Sequence, residues 1–202
     1  VFLACGTSHH ATIAGRYWTE ELAGIPAVTE LASEFRGRNP IVGEGDLVVA
    51  VSQSGETIDT LVAAREAKKK GATVLAVVNV IDSAIARMAD AVFYTHAGPE
   101  IGVASTKCFT AQLANLLMLS IWLGRRRGHL SAERCRELVE ALASLPQQMQ
   151  ETLQGTRQLV ANLAKRTKDA RDVLFLGRGL SFPIALEGAL KLKEISYVHA
   201  EG

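Results

Sequence analysis

The chain has 202 residues, and its 22 Lys and Arg side chains nearly balance its 21 Asp and Glu side chains, giving a formal net charge of +1. This balance produces no strong field that would attract nucleic acid or an anionic membrane, so we expect small molecules or protein surfaces as partners. Cys5, Cys108 and Cys135 lie far apart without a Cys-x-x-Cys pair, which excludes a zinc knuckle and argues against a disulfide scaffold. The cysteine pattern fits a reducing, cytoplasmic environment.

The ends of the chain and its most apolar stretch bear on where the protein acts. The stretch 113–123 contains Asn115 and is shorter than the ~18 apolar residues that a membrane span needs, so we expect a buried helix there. The chain starts directly in an apolar segment without an initiator Met, and it ends just after a helical pattern. We therefore expect a segment cut from a longer protein.

Strands and helices alternate through the first half of the chain. Short apolar runs predict the strands 1–5, 27–32, 47–51, 73–80 and 91–95. Helical spacing predicts the helices 9–22, 57–70 and 83–88. Such alternation is typical of a parallel sheet that helices cover on both faces. We predict the α/β class, as a three-layer αβα sandwich with a doubly wound, flavodoxin-like, five-stranded parallel sheet.

Helices dominate the stretch after Pro99. They are predicted at 105–124, 131–145 and 147–168. We interpret the run Arg125-Arg126-Arg127 as the solvated C-terminal end of the first of these helices, where positive charge complements the helix dipole.

Residues 174–181 repeat the pattern of residues 1–8, a strand followed by a glycine turn and a helix start. This repeat predicts the beginning of a second copy of the same domain, with its helix at 183–199. The alternative is a chance match, because strand, glycine and helix follow one another in many α/β proteins. Duplication divides the chain into a first domain at 1–130, connecting helices at 131–163 and the start of a second domain at 164–202.

The turn between the strand 47–51 and the helix at 57 predicts a phosphate site. Ser52, Gln53, Ser54 and Thr57 supply neutral hydrogen-bond donors, and Gly55 lets the backbone approach a ligand closely. The free N–H groups and positive dipole of the helix N-terminus attract anions at this point. Several charge-assisted bonds of ~1.5–3 kcal/mol each suffice for millimolar affinity without Lys or Arg.

Nucleotide sites find less support in the sequence. Gly177-Arg178-Gly179 suggests a dinucleotide-binding turn, but Phe182 stands at the third glycine position. No glycine-rich turn is followed by Gly-Lys-Ser/Thr, so a nucleoside triphosphate site is not indicated. The turn at 52–57 suits a sugar phosphate better, and we expect neither a metal nor a cofactor.

The helix predicted at 183–199 carries Glu187, Lys191 and Glu194 at i, i+4 and i+7, on one face. One interpretation is an exposed salt-bridge ladder worth a few tenths of a kcal/mol. The other is a carboxylate beside a lysine at the mouth of the sheet, which suits a general base for a proton on a carbon next to a carbonyl. The second draws support from the apolar residues that cover most of this helix.

Three further features have modest interpretations. His9 and His10 point apart on a helix and cannot chelate one metal together, so structural or solvated roles are expected. Cys5 has no base assigned nearby and is interpreted as a small apolar residue lining the pocket. The loop 100–107 enters a helix, with Ser105 as its candidate N-cap and a role in the pocket wall.

Together, four segments resemble a known family in sequence and in order. They are residues 5–8 (CGTS), 52–57 (SQSGET), 100–107 (EIGVASTK) and 185–197 (ALEGALKLKEISY). The chain resembles the sugar isomerase (SIS) half of the glucosamine-6-phosphate synthases, the isomerizing glutamine–fructose-6-phosphate transaminases. The resemblance implies a module with two SIS domains that makes glucosamine 6-phosphate from fructose 6-phosphate and ammonia. In this family ammonia comes from glutamine through a glutaminase domain of the same polypeptide, and a homodimer shares its active sites.

The resemblance also implies roles for individual residues. Glu194 would move a proton between C1 and C2 of the sugar, and Lys191 would stabilise the enolamine. The substrate-binding residues that it implies are Cys5, Gly6, Thr7, Ser8, Ser52, Gln53, Ser54, Thr57, Val103, Ala104 and Ser105. The family's ring-opening His and C-terminal Lys have no match in this chain, and His199 does not take the place of that His. We therefore expect the isolated chain to be inactive.

Two other functions fit the same residues. A non-catalytic SIS domain that senses a sugar phosphate would use the same turn but would not need Glu194 and Lys191 as acid–base groups. A purely structural dimerisation module would bind no sugar phosphate, and fructose 6-phosphate binding that is lost in Ser54→Ala would exclude it.

Overall fold

A computed structural model describes all 202 residues, and its main feature is a five-stranded parallel sheet. The strands are β1 (Phe2–Ala4), β2 (Thr29–Leu31), β3 (Leu47–Ser52), β4 (Thr73–Val78) and β5 (Ala91–Tyr94). They lie in the order β2-β1-β3-β4-β5, and every neighbouring pair is parallel. The predicted α/β class and five-stranded parallel sheet are confirmed, and the strand order is the flavodoxin-like one.

Helices cover both faces of this sheet. They are α1 (Gly6–Ala23), α2 (Ala32–Phe35), α3 (Ile58–Lys69), α4 (Ala84–Met88), α5 (Lys107–Arg126), α6 (Ala132–Thr167) and α7 (Ser181–Ser196). Alternate residues of β3 point to opposite faces, so Val48 belongs to the core beneath α2, α3 and α4, and Val49 to the core beneath α1 and α5. A strand buried on both faces explains the unbroken apolar run of β3.

No helix combines the length and the apolar character needed to cross a membrane. The apolar part of α5 instead packs Phe109, Leu116 and Leu119 against the sheet.

Some element boundaries differ from the predicted ones. The Gly6-Thr7-Ser8 segment, predicted as a turn, forms the first turn of α1. The helices predicted at 131–145 and 147–168 are one 36-residue helix, α6, that runs through Pro146. The predicted break was wrong: an interior proline costs one hydrogen bond and a clash with the carbonyl four residues earlier, but the good helix formers on both sides continue the helix.

The last segment forms a small unit of its own. Strands β6 (Asp172–Leu174) and β7 (His199–Glu201) pair in parallel, and α7 connects them. The helix predicted to reach His199 ends earlier, because Tyr197 takes a left-handed conformation and the chain then extends into β7. A strand, helix and parallel strand are one βαβ unit, and the start of a second domain at 164–202 stays a prediction.

Helices α1 and α5 approach each other closely at Gly124. A Cβ atom at this buried position would lie 2.1 Å from the carbonyl oxygen of Leu22 and 3.3 Å from Cβ of Leu130. The first contact is with backbone, which cannot rotate away as a side chain can. Glycine therefore lets α5 pack against the helix that carries the Gly6-Thr7-Ser8 segment.

We predict that Gly124→Ala lowers the free energy of unfolding by about 1–3 kcal/mol, because the added methyl group forces the two helices apart. Urea denaturation measures this change. The matched control is Gly155→Ala on α6, where an added Cβ meets no atom within 4 Å. The control should raise the stability by up to ~1 kcal/mol through helix propensity, and equal effects of both substitutions would contradict the prediction.

Candidate functional site

The carboxyl ends of β1 and β3 lie side by side, because these two strands are neighbours in the sheet. The chain leaves β1 into α1 and leaves β3 toward α3, so residues 5–8 and 52–57 meet at one edge of the sheet. Ligands of doubly wound sheets bind at this edge, where the strand order reverses.

Residues 52–57 form a turn held by its own side chains. Ser52 Oγ accepts a hydrogen bond from the Gly55 N–H at 3.0 Å and lies 3.0 Å from Thr57 Oγ1. Ser54 Oγ accepts from the Glu56 N–H at 3.1 Å. Thr57 is the N-cap of α3 and makes no side-chain hydrogen bond to the helix, so the N–H groups of the first turn of α3 stay available to an anion.

Gly55 is required by the shape of this turn. Its φ is +65°, and a Cβ atom would lie 2.0 Å from Ser83 Oγ. The turn therefore packs directly against the residue before α4, and no other residue fits without moving one of the two segments.

Glu56 is the one acidic residue within residues 52–57, and its carboxylate points to a different helix. Glu56 Oε1 accepts a hydrogen bond from the Ala84 N–H at 2.8 Å, at the start of α4. This bond directs the carboxylate to the start of α4, where the N–H groups of the helix interact favourably with negative charge.

The loop 97–106 closes one side of the site. Glu100 Oε2 accepts from the Cys108 N–H at 3.1 Å and covers the N-terminus of α5. Ser105 is therefore not the N-cap that we predicted: it has a φ of +49°, and Thr106 takes the N-cap position without a side-chain bond. Glu100, six residues before the N-cap Thr106, accepts the hydrogen bond at the helix N-terminus instead.

The buried Cys108 lies where this loop meets the turn. Burial is the largest cause that raises the pKa of its thiol to about 11, and the hydrogen bond to Glu100 adds to it. The same bond from the Cys108 thiol is the main cause that lowers the pKa of Glu100, so the carboxylate stays ionised. Gln53 acts on this pKa in the opposite direction and lowers it. Gln53 also lines one cavity with Gly98, Pro99 and Glu100, which brings the turn next to the loop.

The polar face of α7 lies against the start of α1. Glu187 is only 5% exposed. Its Oε1 accepts a hydrogen bond from Thr7 Oγ1 at 3.0 Å, and its Oε2 lies 2.8 Å from His10 Nδ1. An exposed salt-bridge ladder is thus excluded for Glu187, which pairs with residues almost 180 positions away.

Lys191 lies at the centre of the charged groups. Its Nζ donates to Thr7 Oγ1 at 2.9 Å, lies 3.4 Å from Glu187 Oε1 and 2.5 Å from Glu194 Oε2, and also bonds to the Ala104 carbonyl. Through Ala104 the lysine contacts the loop whose residues Gly98, Pro99 and Glu100 line a cavity with Gln53. Glu194 is more open, with 38% of its side chain exposed.

The other predicted site residues lie around this centre. Cys5 is half-buried, and Ser8 is buried with its Oγ accepting from Gln112 Nε2 at 2.9 Å. The side chain of Val103 is fully exposed in the loop. His10 and Gln112 are polar residues of this region that sequence reasoning did not place there, because each meets its partner only through the fold.

No three His, Cys, Asp or Glu side chains are arranged to hold a metal ion. The available ligand groups are instead neutral donors at the turn, and a lysine with carboxylates at α7. This arrangement suits an anion at one end and proton transfer at the other.

Residues 1–121 match the SIS domain family. The chain belongs to the SIS domain family. It is 50% identical over 199 residues to the isomerizing glutamine–fructose-6-phosphate aminotransferase of Clostridium tetani, and 51% identical to that of Thermus thermophilus. Each match covers 98% of this chain and 33% of the relative. The chain thus spans about a third of the length of these relatives.

A solved structure extends the similarity to three dimensions. The C-terminal domain of glucosamine-fructose-6-phosphate aminotransferase from Francisella tularensis aligns with a TM-score of 0.96 and 41% identity. The alignment covers 99% of this chain and 56% of that domain. The resemblance seen in the sequence is therefore confirmed along the whole chain, including α7.

We predict that Cys108 reacts with iodoacetamide at pH 8 about 10²-fold more slowly than a free cysteine, because a pKa of about 11 leaves little thiolate. Glu100→Gln should speed the reaction, since it removes a charge that raises this pKa. Mass spectrometry of the labelled peptides measures the rate. Glu21→Gln, an exposed change on α1, is the control, and an unchanged Cys108 rate in Glu100→Gln would contradict the assigned contact.

Proposed function

We propose that this chain is the isomerase module of a longer polypeptide that converts fructose 6-phosphate and ammonia into glucosamine 6-phosphate and water. The observation that carries this proposal is the position of Lys191. Its ammonium contacts Thr7 of α1, Ala104 of the loop and Glu194 of α7. The pair of Lys191 and Glu194 therefore lies at the edge of the sheet that also carries the 52–57 turn, which we call the phosphate turn.

The proposed substrate lies across this edge. Its phosphate accepts hydrogen bonds from Ser52, Gln53, Ser54 and Thr57 and from the first turn of α3. Its sugar contacts residues 5–8 of the β1–α1 junction and Val103, Ala104 and Ser105 of the loop. The anion needs no basic side chain here, because N–H groups at a helix start and neutral hydroxyls bind phosphate well.

The proposed reaction needs one carbon-bound proton to move. Ammonia replaces the C2 oxygen of the open-chain sugar as an imine, and water leaves. Glu194 removes a proton from C1 to give the enolamine and returns a proton to C2, which leaves an aldehyde at C1 and the amine at C2. The Lys191 ammonium stabilises the negative charge that develops on oxygen in this step.

The exposure of the carboxylates separates their roles. Glu187 is buried and both of its oxygens have partners, so it has no oxygen free for a substrate. Glu194 is accessible, and the only hydrogen-bond and ion-pair partner of its carboxylate is Lys191. Accessibility supports Glu194 rather than Glu187 as the group that meets the sugar.

The relatives are named glutamine–fructose-6-phosphate aminotransferases, and we propose glutamine as the source of ammonia for this chain as well. Glutamine would be hydrolysed by a glutaminase domain of the same polypeptide. We also propose a homodimer that acts in the cytoplasm. The isolated 202-residue chain is expected to bind the sugar phosphate without turnover.

We predict that Glu194→Gln lowers glucosamine 6-phosphate formation by ~10²-fold or more in the full-length polypeptide, because the amide cannot accept the C1 proton. The assay supplies fructose 6-phosphate and glutamine and measures product directly. The control is Lys193→Gln on the same helix, an exposed residue that should keep wild-type activity.

Two results would contradict this proposal. If neither wild type nor Glu194→Gln forms product, yet both bind fructose 6-phosphate, the sensor function replaces the enzyme. If wild type shows no sugar-phosphate binding, a structural dimerisation module remains.

A further inference from the structure

We propose that His10 is a positioning residue that holds Lys191 at the reaction site by acting through Glu187. The inference rests on the proposed function, in which Lys191 stabilises the enolamine. The one hydrogen-bond partner of the His10 side chain is Glu187, so an effect of His10 on Lys191 has to pass through the buried carboxylate.

Helix α1 contacts Glu187 with two residues of one face. Thr7 and His10 are three positions apart, so their side chains lie on the same side of α1. Thr7 occupies Oε1 of the carboxylate at 3.0 Å and His10 occupies Oε2 at 2.8 Å. Both oxygens are therefore fixed from the same helix.

The identity of the donor in the hydrogen bond between His10 and Glu187 follows from the chemistry of the carboxylate. An ionised carboxylate only accepts hydrogen bonds, so Nδ1 of His10 carries the proton and donates it to Glu187. The side chain of His10 is 16% exposed and that of Glu187 is 6% exposed, so water is a poor substitute for this donor. A buried carboxylate oxygen without a donor is strongly unfavourable.

The position of Lys191 depends on that carboxylate. Thr7 Oγ1 donates to Glu187 Oε1 and accepts from Lys191 Nζ, which fixes the direction of both hydrogen bonds. Glu187 Oε1 also attracts Lys191 Nζ directly at 3.4 Å. When Oε2 loses its donor, the carboxylate can turn to pair with the lysine instead, and the ammonium moves away from its place beside Glu194.

Two substitutions of His10 with similar side-chain shapes, one with a hydrogen-bond donor and one without, test the bond to Glu187. In His10→Asn the side-chain amide nitrogen stands where Nδ1 stood and still donates to Glu187. In His10→Leu the side chain has nearly the same shape as Asn but has no donor. Because both side chains have four heavy atoms and branch at Cγ, the difference between these variants reports mainly the hydrogen bond.

The test measures glucosamine 6-phosphate formation by the full-length polypeptide, with kcat and KM for fructose 6-phosphate determined separately. His10→Leu should lower kcat by ~10–10²-fold, as misplacement of a catalytic group does. KM should change by less than about threefold, since the phosphate turn keeps its geometry, and His10→Asn should stay within about threefold of wild type. Equal losses in both variants, or a loss confined to KM, would overturn the proposal.

A second readout does not require turnover. Acetic anhydride labels accessible lysines, and mass spectrometry gives the labelling of Lys191 relative to the exposed Lys69. His10→Leu should increase labelling of Lys191 several-fold over wild type and His10→Asn, with Lys69 unchanged. If wild type forms no product, the proposed function fails, while unchanged Lys191 labelling in His10→Leu would overturn the positioning role of His10.

Discussion

The buried carboxylate of Glu187 joins the first α/β unit to the helix of the last segment. A carboxylate that is 5% exposed has to find donors within the protein, and it finds them on α1, in Thr7 and His10. This requirement fixes how α7 lies across the start of α1. The position of α7 in turn sets where Lys191 and Glu194 face, one and two helical turns further along.

The site divides two tasks between two kinds of chemistry. The turn after β3 offers neutral hydroxyls and helix N–H groups, and its acidic residue, Glu56, is directed to the start of α4. Helix α7 provides full charges, with Lys191 between two carboxylates. The loop 97–106 reaches both, since it lines a cavity together with Gln53 and bonds to Lys191 through the Ala104 carbonyl. The turn can thus bind an anionic group of a ligand while the charged residues of α7 transfer a proton, and the two tasks use different protein groups.

Local sequence patterns predicted the sheet well and the long-range contacts poorly. The apolar run of β3 indicated a buried strand, which the structure has, because this feature depends on neighbours in the chain. The phosphate role of the turn after it stays a prediction. Glu187 looked equally like an exposed ladder residue, since only the fold brings His10 to it. Likewise Ser105 matched an N-cap pattern, but Glu100 reaches the helix end from outside that pattern.

Helix ends and short strands were also predicted poorly from the local sequence. Pro146 predicted a helix end, although α6 continues through it. Strand β7 is only three residues long, and it forms because β6 offers a partner that the local sequence of 199–201 does not reveal. Tertiary pairing thus decides the short strand, whereas α6 continues because the residues around Pro146 are good helix formers.

We propose that the 52–57 turn and the charged residues of α7 are two ends of one sugar-phosphate site. A crystal structure with bound fructose 6-phosphate tests this proposal most directly. We predict the phosphate on the hydroxyls of Ser52, Ser54 and Thr57, with C1 and C2 about 3–3.5 Å from the Glu194 carboxylate in a reactive geometry. A phosphate bound elsewhere, or a sugar directed away from Glu194, would contradict it.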